Sequence, residues 1–124
     1  MRKALKFDTG KAEHNYLVDA FLDEMIKVRT MGAKKYEPWD WLHGLGYSRY
    51  QDAIKRHLVA FNAGEDVDDE SGLHHMAHIA VTAMFLFTFQ MVGRGVDDRH
   101  GAKLEQLIKN ITQSNKKLEQ EGGG

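Results

Sequence analysis

Three histidines fall within five positions, His74, His75 and His78. They directly follow the run Gly64-Glu65-Asp66-Val67-Asp68-Asp69-Glu70-Ser71-Gly72, and a fourth, His57, stands upstream behind Arg56. Neutral imidazole nitrogens bind Zn, Fe, Mn or Co, and carboxylates add hard oxygen ligands. A mixed shell of this kind suits hydrolysis at phosphorus, where a divalent ion draws off charge and activates water. On a helix, His74 and His78 leave one face together, and Val81, Phe85 and Phe89 continue their stripe. His57 shares a second stripe with Tyr50, Ile54 and Phe61. An antiparallel hairpin of the two helices would bring His57 to the early turns of its neighbour, beside the acidic bend. The expected ligand set is therefore His57, Asp66, His74 and His78, with Asp68 and Glu70 as catalytic carboxylates. Glu70 gains from the positive end of the helix that follows it. His75 points off the His74/His78 face and is the weaker ligand candidate, while His14, His43 and His100 are expected on the surface.

Groups suited to the rest of a nucleotide lie elsewhere. Lys11 follows Asp8-Thr9-Gly10, Lys35 stands beside Tyr36, and Arg56 precedes His57. Both tryptophans, Trp39 and Trp41, sit in the linker 32–47 with the only proline. Aromatic rings in a loop offer a stacking wall for a base, and the cations offer partners for phosphate. Several other signatures are absent: H-E-x-x-H, a His-Asp dipeptide, G-x-x-x-x-G-K-[ST] and the EF-hand glycine.

Four helical segments must position these groups. The first is expected over about 13–31, with Gly32 as its stop. The second is expected from Ser48, where Ser48 and Gln51 form an S-x-x-Q capping box, to Gly64. The third is expected over about 71–92, apolar nearly all round from Ile79 onward and therefore central. The fourth is expected over about 102–118, with Leu104, Leu107, Ile108, Ile111 and Leu118 on one face and a frayed tail. The reading is an all-α fold: a compact bundle of about four helices around a central His-bearing hairpin. A His/carboxylate domain would fill 1–93, and a loop plus amphipathic helix 94–124. The apolar third helix exceeds what three short neighbours cover, so a homo-oligomer is expected, with the third or fourth helix at its interface.

Composition bounds the alternatives. The chain has 124 residues, a net charge of -1 and no cysteine. That allows one domain, excludes disulfide staples and thiol nucleophiles, and leaves no basic excess for a nucleic-acid polymer. The N-terminal stretch has no apolar segment of a secretory signal. Residues 76–93 are at the short end for a bilayer crossing and carry His78 and Gln90, so a buried or interface helix is expected rather than a membrane span. A cytoplasmic setting fits these features.

Several segments occur in order: K-F-D-T-G-K at 6–11, M-G-A-K-K-Y at 31–36, W-D-W-L-H-G at 39–44, R-H-L at 56–58, G-E-D-V-D-D-E-S-G-L-H-H-M-A-H at 64–78 and F-L-F at 85–87. Over about 6–90 the chain resembles the phage-encoded dATP/dGTP diphosphohydrolase N-terminal family, whose members occur alone or joined to a MazG-like pyrophosphohydrolase module. The resemblance implies an all-α phage protein acting on purine deoxynucleotides, with His57, Glu65, Asp66, Asp68, Glu70, His74 and His78 as site residues. No clear E-x-x-E and E-x-x-D set of the MazG-like kind is present.

Two functional expectations follow, and a blander third. The first is a phosphohydrolase for purine nucleotides, dependent on a divalent ion such as Mn, Co, Zn, Fe or Mg. In it Lys11, Lys35 and Arg56 hold phosphates, and Tyr36, Trp39 and Trp41 face the base. The second is a non-catalytic protein that sequesters a host cyclic-nucleotide signal. The third is a structural protein assembling through the fourth helix.

Overall fold

The computed structural model describes residues 10–122; most of the basic arm 1–12 and the last two glycines of the tail lie outside this range. The fold is all-α. Among the described residues are four α-helices, α1 (Asp19–Lys35), α2 (Tyr47–Asn62), α3 (His75–Val92) and α4 (Gly101–Gly122), with 3-10 turns at His14–Tyr16 and Asp40–His43. No strand is present among them, only two isolated bridges, Gly46 with Val96 and Val67 with His74.

α3 is the central element. α1 and α2 both pack on it, and the Asp40–His43 turn closes on it as well. Its length and apolarity would suffice to cross a membrane, yet its buried positions His75, Ala77, Val81 and Phe89 face this chain's own elements. One core joins Val28 of α1 to Ala77 and Val81 of α3, with Met25, Leu73 and Phe85 against it. Farther along α3, Phe89 is 0% exposed. Its ring lies 5.2 Å from that of Tyr50, 5.9 Å from Trp41 and 6.5 Å from Tyr47. Burying a side chain of this size contributes about 1.5–3 kcal/mol. Glycine makes this end possible. Gly44 has φ +72°, and a Cβ there would lie 2.7 Å from the Cα of Gly95, so only glycine lets the two loops meet over Phe89.

The helix boundaries differ from expectation for identifiable reasons. Leu17 and Val18 are extended, so residues 14–16 form a separate turn and α1 starts at Asp19. Gly32 does not stop α1. The helix continues to Lys35 and ends at the extended Tyr36, just before Glu37-Pro38, where proline disfavours a helical predecessor. α2 has no capping box. Gly46 is its N-cap, and Ser48 lies inside the first turn. A distant carboxylate caps it instead: Asp98 accepts from the Ser48 amide at 2.8 Å and from its hydroxyl at 2.6 Å. α3 starts four residues later than expected, because 66–74 fold into a tight loop. α4 runs on to Gly122, past the expected frayed end. It is exposed throughout and packs on no other described element. The packed unit is therefore three helices, with the fourth projecting from it.

Candidate functional site

The acidic loop is held by its own hydrogen bonds, and these sort its carboxylates. The Asp68 amide donates to the Leu73 carbonyl (2.9 Å), the Gly72 amide to the Asp68 carbonyl (2.8 Å), and the His75 amide to the Asp66 carbonyl (3.1 Å). Gly72 takes φ +71° at the tip of this turn. The Asp68 carboxylate accepts from the Ser71 amide at 3.0 Å. Glu65 and Asp68 are thereby half-buried, whereas Asp66, Asp69 and Glu70 are exposed.

Three imidazoles meet Glu65 and Asp68. His57 Nδ1 and His75 Nδ1 are 2.8 Å apart. His75 Nε2 donates to Glu65 Oε1 at 2.9 Å. The His78 ring stacks on His57 with centroids 4.6 Å apart and planes at 6°. His78 Nε2 bonds Ser71 Oγ at 2.7 Å and lies 3.9 Å from Asp68 Oδ2. His57, Asp68 and His75 each offer a ligand atom, all within 4.8 Å of one another.

Protonation states follow from these surroundings. Burial pushes the His57 imidazole below its ordinary value; neighbouring His78 and His75 act in the same sense, and Asp68 opposes them. Burial also lowers His78, with Asp68 opposing. Burial alone would raise the Asp68 carboxyl, but hydrogen bonds from Ser71, with His78 and His57 nearby, bring it below the usual carboxylate range. At neutral pH, His57 and His78 therefore keep lone pairs and Asp68 keeps its charge, the states a cation requires.

The donor set fits a divalent ion. Two imidazoles and one carboxylate, each bringing a ligand atom to the same place, are the mixed nitrogen and oxygen shell that such ions take. Glu65 on the far nitrogen of His75 is the orienting contact that metal-binding histidines commonly make.

Two joined cavities open beside this cluster. The polar one, about 870 Å³, is lined by His57, His75, His78, Asp68, Glu65, Glu70 and Ser71, with Lys34, Lys35 and Arg56 around them. The other, about 600 Å³, is walled by Tyr36, Trp41, Tyr50, Phe85, Val81 and Val28. Met31, Gly32, Lys35 and His78 belong to both. Trp41 is built into the wall, stacked on Phe85 with centroids 4.5 Å apart and with Arg29 over its ring. Tyr36, 70% exposed, is the freer ring at the rim.

The expected residues are distributed unevenly. His57, Asp68, His78, Glu70, Lys35 and Arg56 line the polar cavity, and Tyr36 and Trp41 the aromatic one. Arg56 pairs with Asp52 one turn back. The Glu70 side chain is 87% exposed and lies 4.0 Å from Lys35 Nζ. His74, Asp66, Trp39 and Lys11 line neither cavity and are exposed. Expecting His74 beside His78 assumed helix at both positions. His74 is instead the extended N-cap of α3 (ψ 136°), with its amide donating to Glu24 Oε2 at 3.3 Å. The residue that joins His57 is His75, 2% exposed. The missed signal was the loop itself: once α3 starts at His75, the facing pair on it is His75/His78, three apart. Glu65 entered only through the family resemblance.

The family model described as dATP/dGTP diphosphohydrolase, N-terminal, matches residues 1–99. A dATP/dGTP diphosphohydrolase of Salmonella phage PMBT28 is 42% identical over 83 residues, which are 67% of this chain and 28% of that relative. This chain therefore matches little more than a quarter of the curated relative's length. No solved structure matches. The match over 1–99 takes in the three packed helices and every residue lining the two cavities, and by it the chain belongs to the dATP/dGTP diphosphohydrolase N-terminal family.

Proposed function

We propose that this chain binds a purine nucleotide across the two joined cavities and hydrolyses its phosphate chain with a divalent ion held by His57, His75 and Asp68. The observation that carries this is the convergence of those three ligand atoms within 4.8 Å beside a cavity walled by aromatic rings. The relative's name supplies the nucleotide class.

The chain's own residues divide the work. The base lies in the aromatic cavity, covered by Tyr36 against the wall that contains Trp41. Lys34, Lys35 and Arg56 neutralise the phosphates. A bound divalent ion would withdraw charge from the phosphoryl oxygens and acidify water. Water attacks phosphorus, its proton passes to the Glu70 carboxylate at the cavity mouth, and the phosphate oxygen that departs is met by Lys35 or Arg56. Incubation with dATP or dGTP and Mn, Co or Mg should yield a nucleoside monophosphate. No turnover with any of these metals would reject the reading.

A second reading is favoured by one fact, the 28% share of the relative that this chain matches: the activity in that name belongs to a much longer protein. On this reading the same cleft sequesters a nucleotide signal without cleaving it. Calorimetry with cyclic di- and trinucleotides separates the two, since tight binding with no product favours sequestration.

Self-association fits both readings. Leu104, Leu107, Ile108, Ile111 and Leu118 of α4, and Phe87, Met91 and Val92 of α3, are each more than half exposed. Apolar faces of this kind on α3 and α4 are the surfaces that a second copy would cover. Light scattering should show an oligomer that Leu107→Glu with Ile111→Glu dissociates. A monomer at every concentration would contradict it.

A further inference from the structure

Glu65 follows the end of α2, and its amide donates to the Ala60 carbonyl at 3.1 Å, so its position is tied to the last turn of that helix. Its carboxylate is half-exposed, but the imidazole it meets is almost wholly buried. A carboxylate brings only lone pairs to a hydrogen bond. The proton in the 2.9 Å contact between Glu65 Oε1 and His75 Nε2 therefore belongs to the histidine. A neutral imidazole that carries its proton on Nε2 has its lone pair on Nδ1. That lone pair faces His57 Nδ1 at 2.8 Å. The contact needs one proton, and Nδ1 of the neutral His75 does not have it, so in the ion-free chain His57 donates through Nδ1, a proton that an ion binding between the two rings would displace.

We infer that Glu65 is a positioning residue: it fixes His75 in the Nε2–H form, so that the Nδ1 lone pair always points at the junction of α2 and α3. This deepens the proposed function, on which it depends only for the identity of what that lone pair holds. Without Glu65, a proton on Nδ1 would block the nitrogen that a cation needs, and the buried ring has no other carboxylate within hydrogen-bonding distance of Nε2 among the described residues. Fixing a tautomer in this way is what outer carboxylates do for histidine ligands elsewhere, and losing one typically weakens metal affinity about 10–100-fold.

The test uses the whole chain, stripped of metal and labelled with 15N at histidine, read by long-range 1H–15N NMR at neutral pH. His75 should show a protonated Nε2 and a bare Nδ1, and His57 a protonated Nδ1. In Glu65→Ala, and more mildly in Glu65→Gln, His75 should become a mixture of tautomers. Zn or Co affinity of the folded protein, measured by calorimetry, should fall about 10–100-fold. A wild-type His75 protonated on Nδ1 overturns the inference without recourse to any variant. So does a folded Glu65→Ala protein that keeps both its tautomer and its metal affinity. If the wild type binds no metal but its tautomer is fixed and collapses in the variants, the positioning role stands and the metal reading alone fails.

Discussion

The two ends of α3 are built from different interactions. At its N-terminal end, His75 and His78 meet His57, Glu65, Asp68 and Ser71 through hydrogen bonds and ring stacking. At its C-terminal end, Phe85 and Phe89 meet Trp41, Tyr47 and Tyr50 through apolar ring contacts alone. The first end spends burial on polar groups that need partners; the second gains from burial directly. One helix thus carries a chemically poised end and a stabilising end, and the two cavities open where these ends meet, at His78.

Substitutions at either end should separate these roles. The largest effect expected is on turnover: His57→Ala or Asp68→Ala should lower metal-stimulated hydrolysis about a thousandfold or more, with helicity by circular dichroism retained. Phe89→Ala should show the reverse. It empties a fully buried site and should cost about 3–5 kcal/mol of stability, read by denaturant unfolding, while metal binding by the folded fraction persists. If instead Phe89→Ala abolishes metal binding in protein that remains folded, the two ends are not separable.

Tyr36→Ala sharpens the contrast from the aromatic side. Loss of base stacking should weaken nucleotide binding by about 1–3 kcal/mol, raising KM with metal affinity unchanged. The smallest effect expected is on pH dependence. His57 and His78 titrate below the ordinary imidazole value in the folded chain, so below about pH 6.5 the unfolded chain binds more protons than the folded one. Metal-free protein should lose stability as pH falls from about 6.5 through the folded values and show little dependence above that range. Asp68, lowered in the fold, supports stability above the ordinary carboxylate value and loses that support as pH falls through its folded one. His57→Gln with His78→Gln should flatten the upper part of this profile in thermal melts.

Much of this organisation was legible in the residues. Four helices and the central third one follow from apolar content and periodicity; of the His57 stripe, Tyr50, Ile54 and His57 turn inward, while Phe61 is exposed. The pairing of His57 with α3 follows from hairpin geometry. The register of the loop was not legible. Glu70 and Ser71 read as a helix start, yet Val67 pairs with His74 and delays α3 to His75. That shift exchanges His74 for His75 in the cluster. It also turns Asp68 inward while leaving Asp66 outside, a choice made by the Ser71 amide on the Asp68 carboxylate and the Leu73 carbonyl on the Asp68 amide rather than by charge. The cap on α2 was hidden for a related reason, since Asp98 lies 50 positions from Ser48 and no local motif signals it. The projection of α4 was also beyond the pattern, because an amphipathic stripe shows that a helix needs a partner without saying that the partner lies in the same chain.

The central claim is that His57, His75 and Asp68 hold one divalent ion, with His74 outside the set. It is tested most directly by titrating Co(II) into chelator-stripped protein and following both stoichiometry and the visible absorption of the bound ion, in wild type, His74→Ala and His75→Ala. The account predicts one ion per chain in the wild type, the same in His74→Ala, and loss of both signals in folded His75→Ala. No stoichiometric binding in the wild type, or loss in His74→Ala with retention in His75→Ala, would contradict it.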